Sequence, residues 1–300
     1  MKKTSYILVV LAFSLATALP SASYEVIRIS VASLKNFGDS KASDIARLRF
    51  IADRIAEQAI KGVAVADELQ DKDGSAMTKL QDAVSKSAHT PIRMEMSDRV
   101  GGGNKEQYGF FWNPEIVALV GSVETIYFDE IERDPWVATF KAKAGFDFTL
   151  CAFHTRPSGK PLKDELRFLD NAFEAVQSAS AEENDIIFVG DFNAPPEPNP
   201  ATSQKLGIAR LMGTFSSNIY FVIRDRPTNV KQDKIFDNIF FDKRTTDEYI
   251  PEEQHVVRID TMLHEYTADI PGDDPVGWFL KNVMDHCPVY AHSRADMDTD

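Results

Sequence analysis

Ile186-Ile187-Phe188-Val189-Gly190-Asp191-Phe192-Asn193 opens with four apolar residues and closes on an acid and an amide two positions apart. A short apolar run of this kind reads as a buried strand, and its polar exit puts Asp191 and Asn193 at the strand's end. Upstream, Leu162, Leu166, Leu169, Phe173 and Val176 recur on one helical face. Before that helix, Phe146 to His154 reads as a strand that stops at a histidine. The same alternation extends in both directions. Strands are expected at Val26–Ser33, Gly62–Asp67, Tyr108–Trp112, Ile116–Tyr127 and Trp136–Phe140, and later at Ile219–Ile223, Ile235–Phe241 and Pro288–His292. Helices are expected at Ser43–Ile60, with Gly62 just beyond as a stop, and at Ser75–Ser87. The Pro-rich stretch Ala194–Pro200 reads as a loop, and no repeat or low-complexity linker interrupts the chain. Strands spread this evenly predict one α/β domain, residues 24–300, with two packed β-sheets flanked by helices.

Composition sets limits on function. The 300 residues carry 33 Lys+Arg against 46 Asp+Glu, a formal charge of −13, and 43% are hydrophobic. That is a chain able to build a core, and it excludes a basic protein that coats polyphosphate by bulk attraction. Lys2 and Lys3, an apolar run from Tyr6 to Leu19, and small residues after Pro20 form the pattern of a secretory leader. The run is shorter than the ~20 residues that span a bilayer. Residues 1–23 are therefore expected to be a cleaved signal peptide, with the mature chain secreted or periplasmic and not membrane-bound. No protein partner is evident. Cys151 and Cys287 are too few for a disulfide framework; one bridge or two buried thiols both fit. Asp71-Lys72-Asp73-Gly74 resembles the start of a calcium loop but lacks its closing Glu, and reads as a turn.

The polar residues at strand ends carry the chemistry. Glu68 follows one apolar strand, His154 another, and Asp191 and Asn193 a third; Asp237 opens a fourth, and Asp285-His286 precede a fifth. One carboxylate at a strand end is unremarkable, because strands must stop at something polar. Six such positions, if the ends meet, offer acidic oxygens for a hard cation such as Mg²⁺ and two imidazoles for proton transfer. That set suits attack by water on a phosphodiester.

These segments resemble the endonuclease/exonuclease/phosphatase superfamily, and within it the deoxyribonuclease I branch. Gly190-Asp191-Phe192-Asn193 matches the family's GDFN motif, and Asp285-His286-Cys287-Pro288-Val289 its DHxPV ending. Asp67 to Asp71 stands at QE-x-RD, Lys105-Glu106-Gln107-Tyr108 at KExY, Arg133-Asp134-Pro135 at REP, and Phe153-His154-Thr155 at the strand-end histidine. The resemblance runs from Arg28 to Ala291 and implies a four-layer sandwich with the two sheets at its centre. It implies Glu68 as the main ligand of Mg²⁺ or Mn²⁺, with Asp285 beside the metal. It also implies that Glu106 orients His154 and that His154 binds the scissile phosphate or protonates the leaving oxygen. Asp191 and Asn193 would position water and phosphate, and Asp237 would hold His286. Lys105 and Arg133 would touch the substrate.

The departures from the family are specific. Ser33 stands on the first-strand Asn that helps hold the metal, which predicts a weaker or water-bridged ligand; Asn36 lies too far along for a clear substitute. Gln70 replaces the arginine of QE-x-RD, Asn104 an aromatic, and Asn238 the arginine that follows the aspartate; Gly101–Gly103 fills a region that often carries an arginine. Asn238 is kept as a candidate substrate contact, and the grip on duplex DNA is expected to be thinned. Three readings follow: a secreted, metal-dependent nuclease acting on DNA; a phosphodiesterase or phosphatase of the same fold on a small or lipid substrate; and a binding protein with impaired catalysis. A separate structural Ca²⁺ site is left open.

Overall fold

The computed structural model describes residues 25–103, 105–179, 183–213, 217–251, 255–263 and 274–298. The expected leader and Asn104 lie outside them. The chain runs β1 (Val26–Phe37), α1 (Asp39–Ala42), α2 (Ile45–Ala59), β2 (Gly62–Leu69), α3 (Ser75–Ala88), β3 (Arg93–Met96), β4 (Gln107–Trp112), β5 (Val117–Thr125), β6 (Trp136–Ala142) and β7 (Asp147–His154). It continues through α4 (Gly159–Ala179), β8 (Ile186–Asp191), α5 (Ile208–Leu211), β9 (Ile219–Phe221), β10 (Asp237–Asp242), β11 (His255–Val256), α6 (Pro275–Asn282) and β12 (Val289–Arg294). Two six-stranded sheets form, in the orders β11-β12-β1-β2-β4-β3 and β5-β6-β7-β8-β10-β9.

Alternation along the strands builds three apolar layers. Ile27, Ile29 and Val31 of β1 point inward and meet Phe110, Trp136, Phe140 and Phe148 between the sheets. The opposite face of the first sheet packs on Phe50, Ile51 and Ile55 of α2 and on Met77 and Leu80 of α3. The outer face of the second packs on Leu162, Leu166, Leu169 and Phe173 of α4. The result is the expected helix–sheet–sheet–helix sandwich. Asp44 starts α2 by accepting a hydrogen bond from the Arg47 N–H at 3.1 Å, which satisfies one open amide of the first turn. Cys151 and Cys287 are free buried thiols. Cys151 sits in the layer under α4 and Cys287 in the layer under α2 and α3, so both sheets stand between them and no bridge can form.

Two points depart from the expected elements. The first strand does not end at Ser33 but bulges and runs on to Phe37. Two consecutive left-handed residues, Lys35 (φ 47°) and Asn36 (φ 57°), make the bulge. β3 and β11 are edge strands that the sequence reading missed, because their exposed faces break the apolar run. The Asp71–Gly74 turn is a turn as expected. Asp71, Asp39 and Asp73 bring carboxylate oxygens within 4.8 Å of one another. The Asp71 oxygens, however, accept the Gly74 and Met77 N–H groups at 3.1 and 2.8 Å and start α3 instead.

Candidate active site

Strand pairing alone brings the chemistry-bearing residues together. In the second sheet, the parallel ladder of β7 and β8 sets His154 beside Asp191, and the antiparallel ladder of β8 and β10 sets Asp191 beside Asp237. In the first sheet, the parallel ladder of β1 and β2 sets Ser33 beside Asp67, immediately before Glu68. Gly190 permits the close approach of β7 and β8, since a Cβ there would sit 1.8 Å from the Phe153 carbonyl oxygen. Glu68 (φ 56°) and Asn193 (φ 51°) hold left-handed backbone, an uncommon conformation for such residues that clusters at functional sites.

Two backed imidazoles face each other across Asp191. His154 Nδ1 lies 2.9 Å from Glu106 Oε2, and its Nε2 lies 3.6 Å from Asp191 Oδ2. Arg133 holds Glu106 from behind at 2.9 Å, and the Tyr108 hydroxyl accepts the His154 backbone N–H at 3.0 Å. Burial disfavours charge on His154, but the Glu106 hydrogen bond and the Asp191 charge raise its pKa to about 9. Burial likewise works against charge on Glu106, yet the His154 hydrogen bond and the Arg133 charge hold its carboxyl below its ordinary range. His286 Nδ1 lies 3.1 and 3.0 Å from the two Asp237 oxygens, and its ring stacks on Phe236 with centroids 5.1 Å apart. Against burial, Asp237 and Asp191 push His286 well above its usual value. Burial raises Asp191 to about 6, while both imidazoles work in the opposite direction. Asp191 Oδ1 accepts the Asn193 N–H at 2.8 Å, and the Asn193 amide donates to the Thr155 carbonyl at 3.2 Å.

Glu68, His154 and Asp191 bring one ligand atom each within 4.8 Å of one another, a group that could hold a metal ion. Glu68 Oε2 also accepts the Asn36 N–H at 3.1 Å, so the β1 bulge steadies this carboxylate. The Asn36 side chain itself turns away to Gln70.

Four expected residues stand elsewhere than the sequence suggested. Asp285 lies outside the three-residue group and forms an ion pair with Lys35, whose Nζ also donates to the Leu280 carbonyl. Ser33 is 1% exposed and gives its hydroxyl hydrogen to Asp237 Oδ1 at 3.1 Å, so it steadies the Asp237–His286 pair. Arg133 is turned inward onto Glu106, behind His154, so its guanidinium is committed to that carboxylate. Asn238 is fully buried and spends its amide on the Ile223 N–H and carbonyl at 3.0 and 2.7 Å, which corrects its expected role as a substrate contact. Lys105 is exposed beside Glu106.

Sequence reasoning missed Lys35, Tyr108 and Phe236 as supports of the site. It also missed Thr228, whose hydroxyl accepts the Phe236 and Asp237 N–H groups at 2.9 and 3.1 Å. Phe236 could have been found as the aromatic neighbour of Asp237. Thr228 sits in a polar loop and carries no local signal.

No family model matches the chain. Over 192 residues it is 29% identical to deoxyribonuclease-1 of Gallus gallus, an alignment covering 60% of this chain. The chain spans about 65% of the length of the curated relatives it matches. Among solved structures, an endonuclease/exonuclease/phosphatase from Bacteroides vulgatus superposes with a TM-score of 0.56 at 11% identity, covering 89% of this chain and 98% of that one. TDP2 of D. rerio, complexed with a single-strand DNA product, superposes with a TM-score of 0.56 at 14% identity, again covering 89% and 98%.

Proposed function

We propose that this chain, which has the endonuclease/exonuclease/phosphatase fold and resembles deoxyribonuclease I, is a secreted, divalent-metal-dependent nuclease that hydrolyses phosphodiester bonds in DNA. The observation that carries the reading is the convergence of Glu68, His154 and Asp191, with each of two imidazoles backed by its own carboxylate. Relatives named as deoxyribonucleases and a fold neighbour bound to a DNA product support the substrate class. No helix among the described residues is long and apolar enough to cross a membrane.

The donor set suits Mg²⁺ or Mn²⁺, since carboxylate oxygens of Glu68 and Asp191 match a hard cation. Such an ion, when bound, would neutralise the phosphate and lower the pKa of water. The residues supply the rest. His154 and His286 are both held in the charged form near neutrality, so they donate hydrogen bonds to phosphate oxygens and to the leaving oxygen. Asp191 lies between the two imidazoles, 3.6 Å from His154 Nε2 and 3.8 Å from His286 Nδ1, where it would orient the attacking water. Asn193 holds the phosphate, and Asp237 and Glu106 keep the two rings aimed.

A second reading, a phosphodiesterase on a smaller ester, is favoured by the inward turn of Arg133 and the burial of Asn238, which remove two duplex contacts. Plasmid nicking with Mg²⁺ or Mn²⁺, with and without EDTA, beside a small chromogenic phosphodiester, separates the two. Nicking that disappears in EDTA and in Glu68→Ala and His154→Ala is the expected result. Turnover of the small ester alone moves the assignment to the second reading, and silence on both sinks the hydrolase.

A further inference from the structure

Glu165 is a carboxylate that neither the matched motifs nor the proposed chemistry uses. It lies on the core-facing side of α4, between Leu162 and Leu166, and is wholly buried. A carboxylate stripped of water is costly unless donors replace the lost hydration. Here the donors are backbone N–H groups from two different loops. Oε1 accepts the Glu132 N–H at 2.9 Å, and Oε2 accepts the Arg156 N–H at 2.6 Å. Burial pushes the Glu165 carboxyl up, and these two N–H groups work against that rise. The Arg156 guanidinium closes the frame, with Nε 2.7 Å from Glu132 Oε2 and 3.6 Å from Glu165 Oε1. Each tied residue adjoins one that supports His154 or Asn193. Glu132 precedes Arg133, whose guanidinium holds Glu106 and whose carbonyl accepts the Tyr108 hydroxyl at 3.3 Å. That same hydroxyl receives the His154 N–H. Arg156 follows Thr155, whose N–H donates to the Asp191 carbonyl at 2.9 Å and whose own carbonyl accepts the Asn193 amide at 3.2 Å.

We infer that Glu165 is a positioning residue of the site: it ties the loops 126–135 and 155–158 to α4 and, through Arg133 and Thr155, sets where His154 and Asn193 stand. Being wholly buried, it acts through these neighbours and not by contact with substrate. One carboxylate with one oxygen for each loop fixes the two loops relative to each other, which two separate acceptors would not do. The inference rests on the nuclease reading for the reaction that this frame serves.

The test pairs Glu165→Gln with Val176→Ala, a truncation in the same apolar layer about 16 Å further along α4. Glutamine keeps the size of the side chain but turns an NH₂ toward one of the two N–H donors, so one loop is released. Full-length chains are compared where circular dichroism shows each to be folded. In Glu165→Gln, kcat on DNA is expected to fall about tenfold, the worth of one lost buried hydrogen bond, with KM held within about twofold. By NMR, the His154 and Thr155 amide protons should exchange faster in this variant relative to the core amides of β8. Val176→Ala should lower the melting temperature and leave both kcat and that exchange ratio near wild type. Combined with Arg133→Lys, Glu165→Gln should lose little more kcat than the worse single variant, because both act through Glu106 and His154. Glu165→Asp, with both acceptor oxygens on a shorter arm, should fall between wild type and Glu165→Gln. It is set against Val176→Ala in the same way if the glutamine chain does not fold. An equal loss of kcat in Val176→Ala, an unchanged exchange ratio, or losses that multiply in the double variant overturns the inference and leaves the nuclease standing. A wild-type chain that cleaves neither DNA nor the small phosphodiester overturns the nuclease reading and the inference together.

Discussion

His154 is the residue on which the proposed chemistry turns, and its charge state is set by a neighbour 48 positions away in sequence. The Glu106 hydrogen bond and the Asp191 charge raise it from 6.5 to about 9 against the cost of burial. A histidine raised in this way adds stability that is fully present below pH 6.5 and is lost as pH climbs through 9. In EDTA, the unfolding free energy is therefore expected to decline between pH 6.5 and 9, and Glu106→Gln should flatten that decline. Proton titration of the imidazole by NMR checks the cause: the His154 midpoint should move down toward its ordinary value in Glu106→Gln. A midpoint that stays near 9 would show that Asp191 and Asp67 suffice. Arg133 gives a second prediction at this scale. It sits behind Glu106, and its side chain is 12% exposed. Arg133→Lys keeps the charge but loses the two-point contact, so kcat is expected to fall about tenfold, less than the roughly 10²–10⁴ that a positioned acid supplies in full. KM for DNA should stay within about twofold under the same principle. A rise in KM at constant kcat would place Arg133 on the substrate surface.

At the scale of elements, the β7–α4–β8 unit does most of the positioning, and it is also the part most legible in sequence. Apolar runs ending at His154 and Asp191, with a helical face between them, define the unit before any contact is known. Gly190 is its tightest point. Gly190→Ala would force a methyl group to 1.8 Å from the Phe153 carbonyl oxygen and pry β7 from β8. The expected cost is about 3 kcal/mol, read as a drop in the urea midpoint, with activity reduced even where the chain remains folded because His154 and Asp191 separate. Unchanged stability would mean that the ladder opens there without cost. The first sheet was harder to read. The β1 bulge depends on left-handed backbone at Lys35 and Asn36, which no periodicity announces, and it is this bulge that brings the Asn36 N–H to Glu68 and Lys35 to Asp285. Asp285 was therefore expected at the metal, when the fold pairs it with a lysine. Asn238 was misread for a related reason. Its position after Asp237 points to the site, but strand alternation turns its side chain into the core, where Ile223 satisfies it.

For the whole molecule, the formal charge of −13 means that a polyanionic substrate must be met locally. Near the site, the cations are mostly spent: Lys35 on Asp285, Arg133 on Glu106, Arg156 on Glu132, and Arg258 on Asp260. Lys105 remains exposed next to Glu106, and Arg226 and Lys231 are exposed on the loop that leads through Asn229 to His286. A duplex that reaches those three side chains releases about three counterions' worth of condensed charge, at about 0.9 per phosphate. The logarithm of apparent DNA affinity should then fall against the logarithm of salt concentration with a slope near −3 at fixed free Mg²⁺. Each of Lys105→Gln, Arg226→Gln and Lys231→Gln should reduce the slope by about 1 and leave single-turnover cleavage of saturating DNA unchanged. A slope of about −6 or steeper would demand a basic face, one the ion pairs of the described residues do not supply. A slope near zero would mean that no phosphate is gripped outside the metal and imidazole group, and the smaller phosphodiester would become the better substrate.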